Sequence, residues 1–118
     1  MFHCLARTCA DLLIGGTGSQ RSMPAWTQVY RALDHGAARN VCSGQLMPNF
    51  PREIQDFANV FVTMQKKRHD ADYDPQCFVF KSAILADISN VETVIADFEI
   101  APAKDRRAFA AAVLLRKR

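Results

Sequence analysis

The stretch PREIQDFANVFVTMQKKRHDADYDP, residues 51–75, carries the longest amphipathic pattern of the chain. Its apolar residues recur at spacings of three and four, which is typical of a helix with one face on a core. Pro51 suits the first turn of a helix, whereas Pro75 cannot continue one. We therefore predict a helix between these prolines. Its inner face is predicted to consist of Ile54, Phe57, Ala58, Phe61, Met64 and Gln65.

The same spacing predicts two helices on the N-terminal side. The chain opens with an apolar periodic segment that has no capping residue ahead of it, so we expect this first helix to be truncated and to continue upstream of Met1. Pro24 opens a second helix, for which Gly36 can serve as a left-handed terminator after His35. The segment AARNVC, residues 37–42, is either a short helical continuation or a separate turn.

Two more helices are predicted on the C-terminal side. One begins near Gln76, and a turn at IAPAKD, residues 100–105, precedes the last. The first of them has an apolar stripe at Phe80, Ile84, Ile88, Val91, Ile95 and Phe98. No segment alternates with period two, and no Asn-Gly or Asp-Gly hairpin occurs. The sequence predicts an all-α, up-and-down bundle of four to five helices with antiparallel neighbours, in a single domain over residues 1–118.

Composition and charge are those of an ordinary globular domain. Of the 118 residues, 49% are hydrophobic and 23% are charged, and the net charge of +3 permits a nucleic-acid partner without requiring one. Arg7 and Asp11 interrupt the apolar opening, which lacks the basic start of a secretory signal. No run approaches the roughly 20 apolar residues of a membrane span. We expect a soluble, cytoplasmic protein without membrane contact.

The four cysteines do not form a metal or disulfide pattern. Cys4, Cys9, Cys42 and Cys77 contain no Cys-x-x-Cys pair, whereas zinc sites and disulfide frameworks use tighter spacings. We expect buried thiols in a reducing compartment, and neither a metal nor another cofactor.

Polar residues continue the inner face of the central helix. Arg68 and Asp72 occupy the next positions on this stripe, so we expect Arg68 to face partner helices and to need a carboxylate. Asp72 is the nearest candidate at four residues, and Tyr73 can add a ring and a hydroxyl to the cluster. This cluster is either a structural clamp or a site that faces a ligand or RNA.

The run Arg68-His69-Asp70-Ala71-Asp72-Tyr73-Asp74 resembles the Arg-x-x-Ala-Asp-Tyr signature of HEPN-domain proteins. These are small prokaryotic helical bundles, often encoded beside a minimal nucleotidyltransferase or in toxin–antitoxin and defence loci. The opening MFHCLARTCADLL, residues 1–13, looks like the end of that family's first helix, and DHG, residues 34–36, resembles its short histidine-containing segment. The resemblance implies a HEPN-like bundle of four or five helices, frequently a homodimer, with an RNA-related cleft.

Active members of that family cleave RNA without a metal, using an Arg followed after four to six residues by a His. That spacing is absent here, because Arg31 and His35 are one residue too close and Arg68 and His69 are adjacent. At four residues apart on one helix, Arg31 could still hold a phosphate while His35 moves a proton. Alternatively, His35 complements the C-terminus of its helix.

A basic surface is predicted at the C-terminal end, where six Lys or Arg follow residue 103 against Asp105 alone. These residues either complement a helix end or contact a phosphate backbone, in which case binding weakens as salt rises. Lys66 and Lys67 of the central helix, which otherwise form a solvent-exposed face, could extend this basic surface. The candidate nucleic-acid contacts are Lys66, Lys67, Arg106, Arg107, Arg116, Lys117 and Arg118.

Three functions are consistent with these patterns. The preferred one is a HEPN-like binding module of toxin–antitoxin or defence type, a homodimer that contacts RNA or a nucleotidyltransferase-type partner. The first alternative is a metal-independent ribonuclease with a site at Arg31 and His35. The second is a non-catalytic structural assembly protein held together by the cluster of Arg68, Asp72 and Tyr73.

Overall fold

The computed structural model describes residues 1–76 and 79–115, and over these residues the chain is helical without a β-strand. The elements are α1 (Phe2–Ile14), α2 (Met23–Ala32), α3 (His35–Cys42), a 3₁₀ turn (Met47–Asn49), α4 (Arg52–Tyr73), α5 (Lys81–Glu99) and α6 (Ala103–Leu114). The predicted all-α class is confirmed. The described part of the chain has six α-helices rather than four to five, because AARNVC belongs to a separate helix, α3.

The boundary between α2 and α3 is set by an acidic cap. Leu33 and Asp34 have extended backbone, with ψ of 124° and 133°, so α2 ends before them and His35 begins α3. The Asp34 carboxylate accepts a hydrogen bond from the backbone N–H of Ala37 at 2.8 Å, which satisfies a donor that has no partner within the helix. The predicted terminator at Gly36 is wrong, since Gly36 is the second residue of α3.

α1 and α2 are joined by a polar triad. The indole N–H of Trp26 donates to Asp11 Oδ1 at 2.8 Å, and Arg21 Nη1 donates to the same oxygen at 3.1 Å. The Arg21 guanidinium also lies 5.0 Å from the centre of the Trp26 ring. At the other end of α1, His3 Nδ1 is 2.7 Å from the Tyr30 hydroxyl. The two pairings show that α1 and α2 run antiparallel.

α4 and α5 form a long antiparallel hairpin. Phe57, near the start of α4, stacks on Phe98, near the end of α5, with 4.3 Å between ring centroids. Further along α4, Lys67 pairs with Asp87, which lies earlier in α5. α5 begins at Lys81, five residues later than predicted from Gln76.

The buried core occupies only one half of this hairpin. α1, α3 and α6 pack around that half, and Phe109 of α6 meets the ring of Phe98 at 5.9 Å. The hairpin residues buried in this core are Ile54, Phe57, Ala58, Phe61, Val94 and Phe98. The other half, residues 62–73 of α4 and 81–93 of α5, contributes no fully buried residue and is called the outer hairpin below. The elongated dimensions of 48 × 30 × 30 Å agree with a hairpin that projects from the core.

Three buried thiols lie within the described residues, at Cys4, Cys9 and Cys42. Burial raises the pKa of Cys9 and that of Cys42 to about 12. It also raises the pKa of Cys4, with a further contribution from the negative charge of Glu99. A thiol held in its neutral form is a poor nucleophile, so these cysteines act as small core residues. Cys77 lies outside the described residues.

Candidate functional site

A groove of about 990 Å³ lies between the start of α1, α3 and the second half of α4. Phe2 forms one side, His35 and Arg39 of α3 form another, and residues between Phe61 and Tyr73 of α4 form the floor and rim. We call it the α3–α4 groove. Its position follows from the projection of α4 beyond the core, which leaves that part of the helix open next to α3.

Cations from two helices line this groove. Lys66 is 3.0 Å from Asp70, and Arg68 Nε is 3.9 Å from Asp72, in both cases one turn along α4. Exposed pairs of this kind contribute little, so an anionic ligand can compete for the two cations. Arg39, in the last turn of α3, forms no ion pair with any described residue. The α3–α4 groove is therefore lined by three cations and by the two carboxylates, Asp70 and Asp72, that pair with Lys66 and Arg68.

His35 is held on the wall of the groove. Its ring stacks on Phe2 with 3.7 Å between centroids and 11° between planes. The side-chain amide nitrogen of Gln65 lies 3.3 Å from His35 Nδ1 and holds the ring on the other side. His35 and Arg39 are four residues apart on α3 and so occupy the same helix face. The pair presents an imidazole and a guanidinium to one ligand.

Aromatic rings at the rim provide a surface for stacking. His69 and Tyr73 lie one turn apart on α4, with 4.8 Å between their ring centroids. Tyr73 is 75% exposed, so much of its ring is free to receive a planar group. Cations beside exposed rings are the combination that single-stranded nucleic acids use when they bind proteins.

The predicted cluster of Arg68, Asp72 and Tyr73 is only partly assembled. The pairing of Arg68 with Asp72 is present, but the Arg68 side chain is 82% exposed. The expectation that Arg68 faces partner helices is wrong, because α4 has passed the core at this point and none of the described helices covers the Arg68 side chain. Tyr73 contacts His69 instead of completing the cluster. The cluster is a rim of the α3–α4 groove and not a buried clamp.

The proposed pair of Arg31 and His35 does not share a helix. Arg31 lies in the last turn of α2, whereas His35 is the first residue of α3, and the extended residues between them break the four-residue register. The expectation that His35 complements a helix C-terminus is wrong for the same reason. His35 lines the α3–α4 groove together with Arg39, and Arg31 is not part of its lining.

The predicted basic contacts are distributed over separate elements. Lys67 is not simply solvated, since it is 2.9 Å from Asp87 and links α4 to α5. On α6, Arg106 donates to the carbonyl of Ala101 at 2.9 Å, and Arg107 is exposed. The remaining candidates, which lie outside the described residues, are Arg116, Lys117 and Arg118.

Arg39, His69 and Phe2 were missed as site residues. The sequence does contain a signal for Arg39. An aspartate such as Asp34 ahead of a short run with two alanines predicts a capped helix, and such a helix places His35 and Arg39 on one face. The contact between Phe2 and His35 joins residues far apart in sequence and has no local signal.

Residues 1–76 and 79–115 contain neither a metal-ligand cluster nor a membrane-spanning helix. No group of three or more His, Cys, Asp or Glu side chains is arranged to hold a metal ion. No helix of this part is both long and apolar enough to cross a membrane.

The chain matches none of the protein-family models, curated proteins or solved structures with which it was compared.

Proposed function

We propose that this chain is a HEPN-like helical module of toxin–antitoxin or defence type that binds single-stranded RNA in the α3–α4 groove. The observation that supports this most is the convergence of Arg39, Lys66 and Arg68 on one groove, beside the exposed rings of His69 and Tyr73. The HEPN kinship itself continues to rest on the order of residues from Arg68 to Asp74.

Single-stranded RNA fits this surface better than a duplex does. A duplex presents its phosphates on the outside and hides its base faces, whereas an unpaired strand exposes both to cations and rings. Arg39 and Arg68 can each contact a phosphate, and Tyr73 can receive a base. Since every base has a face that can stack on a ring, we expect weak preference for base sequence.

The test is fluorescence anisotropy with a short labelled single-stranded RNA at low and at moderate salt. Each phosphate contact on a single strand contributes about −0.7 to the slope of log affinity against log salt. With two contacts, a fourfold rise in salt weakens binding by roughly sevenfold. Arg39→Ala should weaken binding and reduce the slope by about 0.7. Arg39→Lys should retain the slope because it retains the charge.

The matched control for this experiment is Arg52→Ala. Arg52 is also a surface arginine near Asp56, but it lies at the start of α4, outside the groove. We expect its RNA affinity to equal that of the unmodified chain. Absence of binding at low salt, or equal losses for Arg39→Ala and Arg52→Ala, contradicts the proposal. If Arg107→Ala alone weakens binding, the contact lies on α6 and not in the groove.

A metal-independent ribonuclease is the second candidate, now favoured by two imidazoles in one groove and no longer by Arg31. In such a reaction the 2′-hydroxyl of RNA attacks the adjacent phosphate, one imidazole accepts its proton, and another donates a proton to the departing 5′-oxygen. His35 and His69 would take these two roles, and Arg39 would stabilise the charge on the phosphate.

Incubation of RNA with purified protein in a chelator tests this candidate. Loss of cleavage in both His35→Ala and His69→Ala, measured at saturating RNA so that weaker binding does not contribute, supports the ribonuclease. If the unmodified chain binds RNA without cleaving it, the result excludes the ribonuclease and supports the binding module. If the chain neither binds nor cleaves RNA, the result supports the structural assembly protein. Co-purification with a nucleotidyltransferase encoded beside it supports a module that binds this partner protein.

A further inference from the structure

One exposed face of α5 in the outer hairpin is apolar at its centre and charged at its ends, and two of its residues, Ile88 and Glu92, also line the groove between α4 and α5. Leu85 and Ile88 are 56% and 48% exposed. Lys81 precedes them by one turn and Glu92 follows them by one turn, so the four residues are spaced by four, three and four. This is the spacing of one seam of a coiled coil. Neither Lys81 nor Glu92 forms an ion pair with a described residue.

We infer that a second copy of the chain covers this face, with the two α5 helices antiparallel about a two-fold axis between Ala86 and Asp87. In that register Leu85 of each copy lies opposite Ile88 of the other. Lys81 of each copy lies opposite Glu92 of the other. The apolar contact and the charged contact are thus both complementary, and the two-fold axis makes each contact occur twice in the dimer.

The charge order favours a second copy over other occupants. A parallel pair would place Lys81 against Lys81 and Glu92 against Glu92, which is repulsive at both ends. A face with one cation and one anion has no attraction for an anionic membrane surface. An isologous contact needs a patch that complements itself, and this face does so only in the antiparallel register.

The shape of the molecule makes the contact accessible. α1, α3 and α6 pack around the buried half of the hairpin, and α3 meets the outer hairpin on α4, where His35 contacts Gln65. Two projecting hairpins that meet through α5 would bring four helices together, with the α4 helices at the sides. The contact extends over about three helical turns, which is small for a stable interface. We therefore expect a dissociation constant on the order of 100 µM.

Sedimentation equilibrium without RNA tests the pairing, and its result is separate from that of the RNA-binding proposal. Lys81→Glu places like charges together at two symmetric positions and should raise the dissociation constant by at least about tenfold. Glu92→Lys should do the same. The double variant exchanges the two charges and should restore affinity to within about threefold of the unmodified chain. Lys104→Glu, the same change at an exposed site on α6, should have no effect.

The apolar layer has its own pair of variants. Leu85→Ala should raise the dissociation constant by about tenfold or more, since the leucine is lost twice per dimer. Leu13→Ala is the control, because Leu13 is an exposed leucine of α1. Both leucines are solvent-exposed in the monomer, so circular dichroism should report unchanged helix content.

Three results would overturn the inference. The first is a monomer up to about 1 mM, where an interface of this size should already associate. The second is a dimer that Lys81→Glu and Leu85→Ala leave intact, which would place the interface elsewhere. The third is failure of the double charge exchange to restore a dimer that each single reversal weakens, which would exclude the antiparallel register.

Discussion

Truncation of Phe57 to alanine should strongly reduce the free energy of unfolding. Its ring is fully buried in the first half of α4. It stacks on Phe98 at 4.3 Å, and it meets Phe61 at 6.3 Å and Phe109 at 6.4 Å between centroids. Phe57→Ala therefore removes a ring that contacts α5 and α6 at once, and leaves a cavity between three helices.

The expected cost lies at the upper end of the usual range. Truncation of a buried phenylalanine destabilises a protein by about 3–5 kcal/mol, and ring pairs add about 0.5–1.5 kcal/mol beyond area burial. We expect a loss of about 4–5 kcal/mol for Phe57→Ala. A chain of 118 residues has a total stability of roughly 6–18 kcal/mol. The variant should keep its fold with a melting temperature lower by roughly 15–20 °C, or unfold if stability lies at the low end.

Urea denaturation followed by circular dichroism measures this loss, and Phe80→Ala provides the matched control. Phe80 precedes α5 and is 74% exposed, so the identical chemical change should alter the free energy of unfolding by no more than about 0.5 kcal/mol. Dilute protein keeps any self-association out of the comparison. Equal losses for Phe57→Ala and Phe80→Ala would refute the placement of the core in the inner half of the hairpin.

Three further changes test separate parts of the structure. Asp11→Ala leaves the mostly buried Arg21 guanidinium without its carboxylate and should cost about 2–3 kcal/mol by urea denaturation. Asp34→Ala removes the cap of α3 and should cost about 1 kcal/mol, most of which Asp34→Asn should recover. The thiols of Cys9 and Cys42 ionise near pH 9 when unfolded but only near pH 12 when folded, so stability should fall as pH rises between these values.

Each of these changes has a control that separates it from general damage. Asp97→Ala removes an exposed carboxylate of α5 that has no ion pair among the described residues, and should be near neutral. If Asp97→Ala lowers the free energy of unfolding as much as Asp11→Ala does, loss of the contacts of Asp11 with Arg21 and Trp26 is not the cause of the destabilisation. For the alkaline loss, a Cys9→Ala/Cys42→Ala variant should show a shallower decline above pH 9. An unchanged slope would show that other groups cause it.

Periodicity predicted the helices well because it reports a local property. The inner residues of α4 from Ile54 to Phe61 are buried as the three-and-four spacing indicates, and Pro24 lies in the first turn of α2 as expected. The same spacing cannot report whether another helix covers a stripe. Arg68 and Ile88 continue their stripes in sequence but lie beyond the reach of the core, so both are exposed.

The candidate site was harder to predict than the fold because it depends on one boundary. A glycine after His35 resembled a helix end, yet the side chain of Asp34 supplies a hydrogen bond that begins a new helix there. That single cap moves His35 from the face of Arg31 to the face of Arg39. The stack of His35 on Phe2 then depends on the packing of α1, which no short segment encodes.

The partial coverage of α4 by the core has a consequence for its backbone amides. In one continuous helix, the amides near Phe57 open only when the whole molecule unfolds, whereas those near Tyr73 can open by local fraying of the helix end. Hydrogen exchange should therefore be slowest around Phe57 and should quicken by orders of magnitude towards Ala71. For the same reason, trypsin should first cleave the folded chain at Lys66, Lys67 or Arg68, within a regular helix and not in a loop.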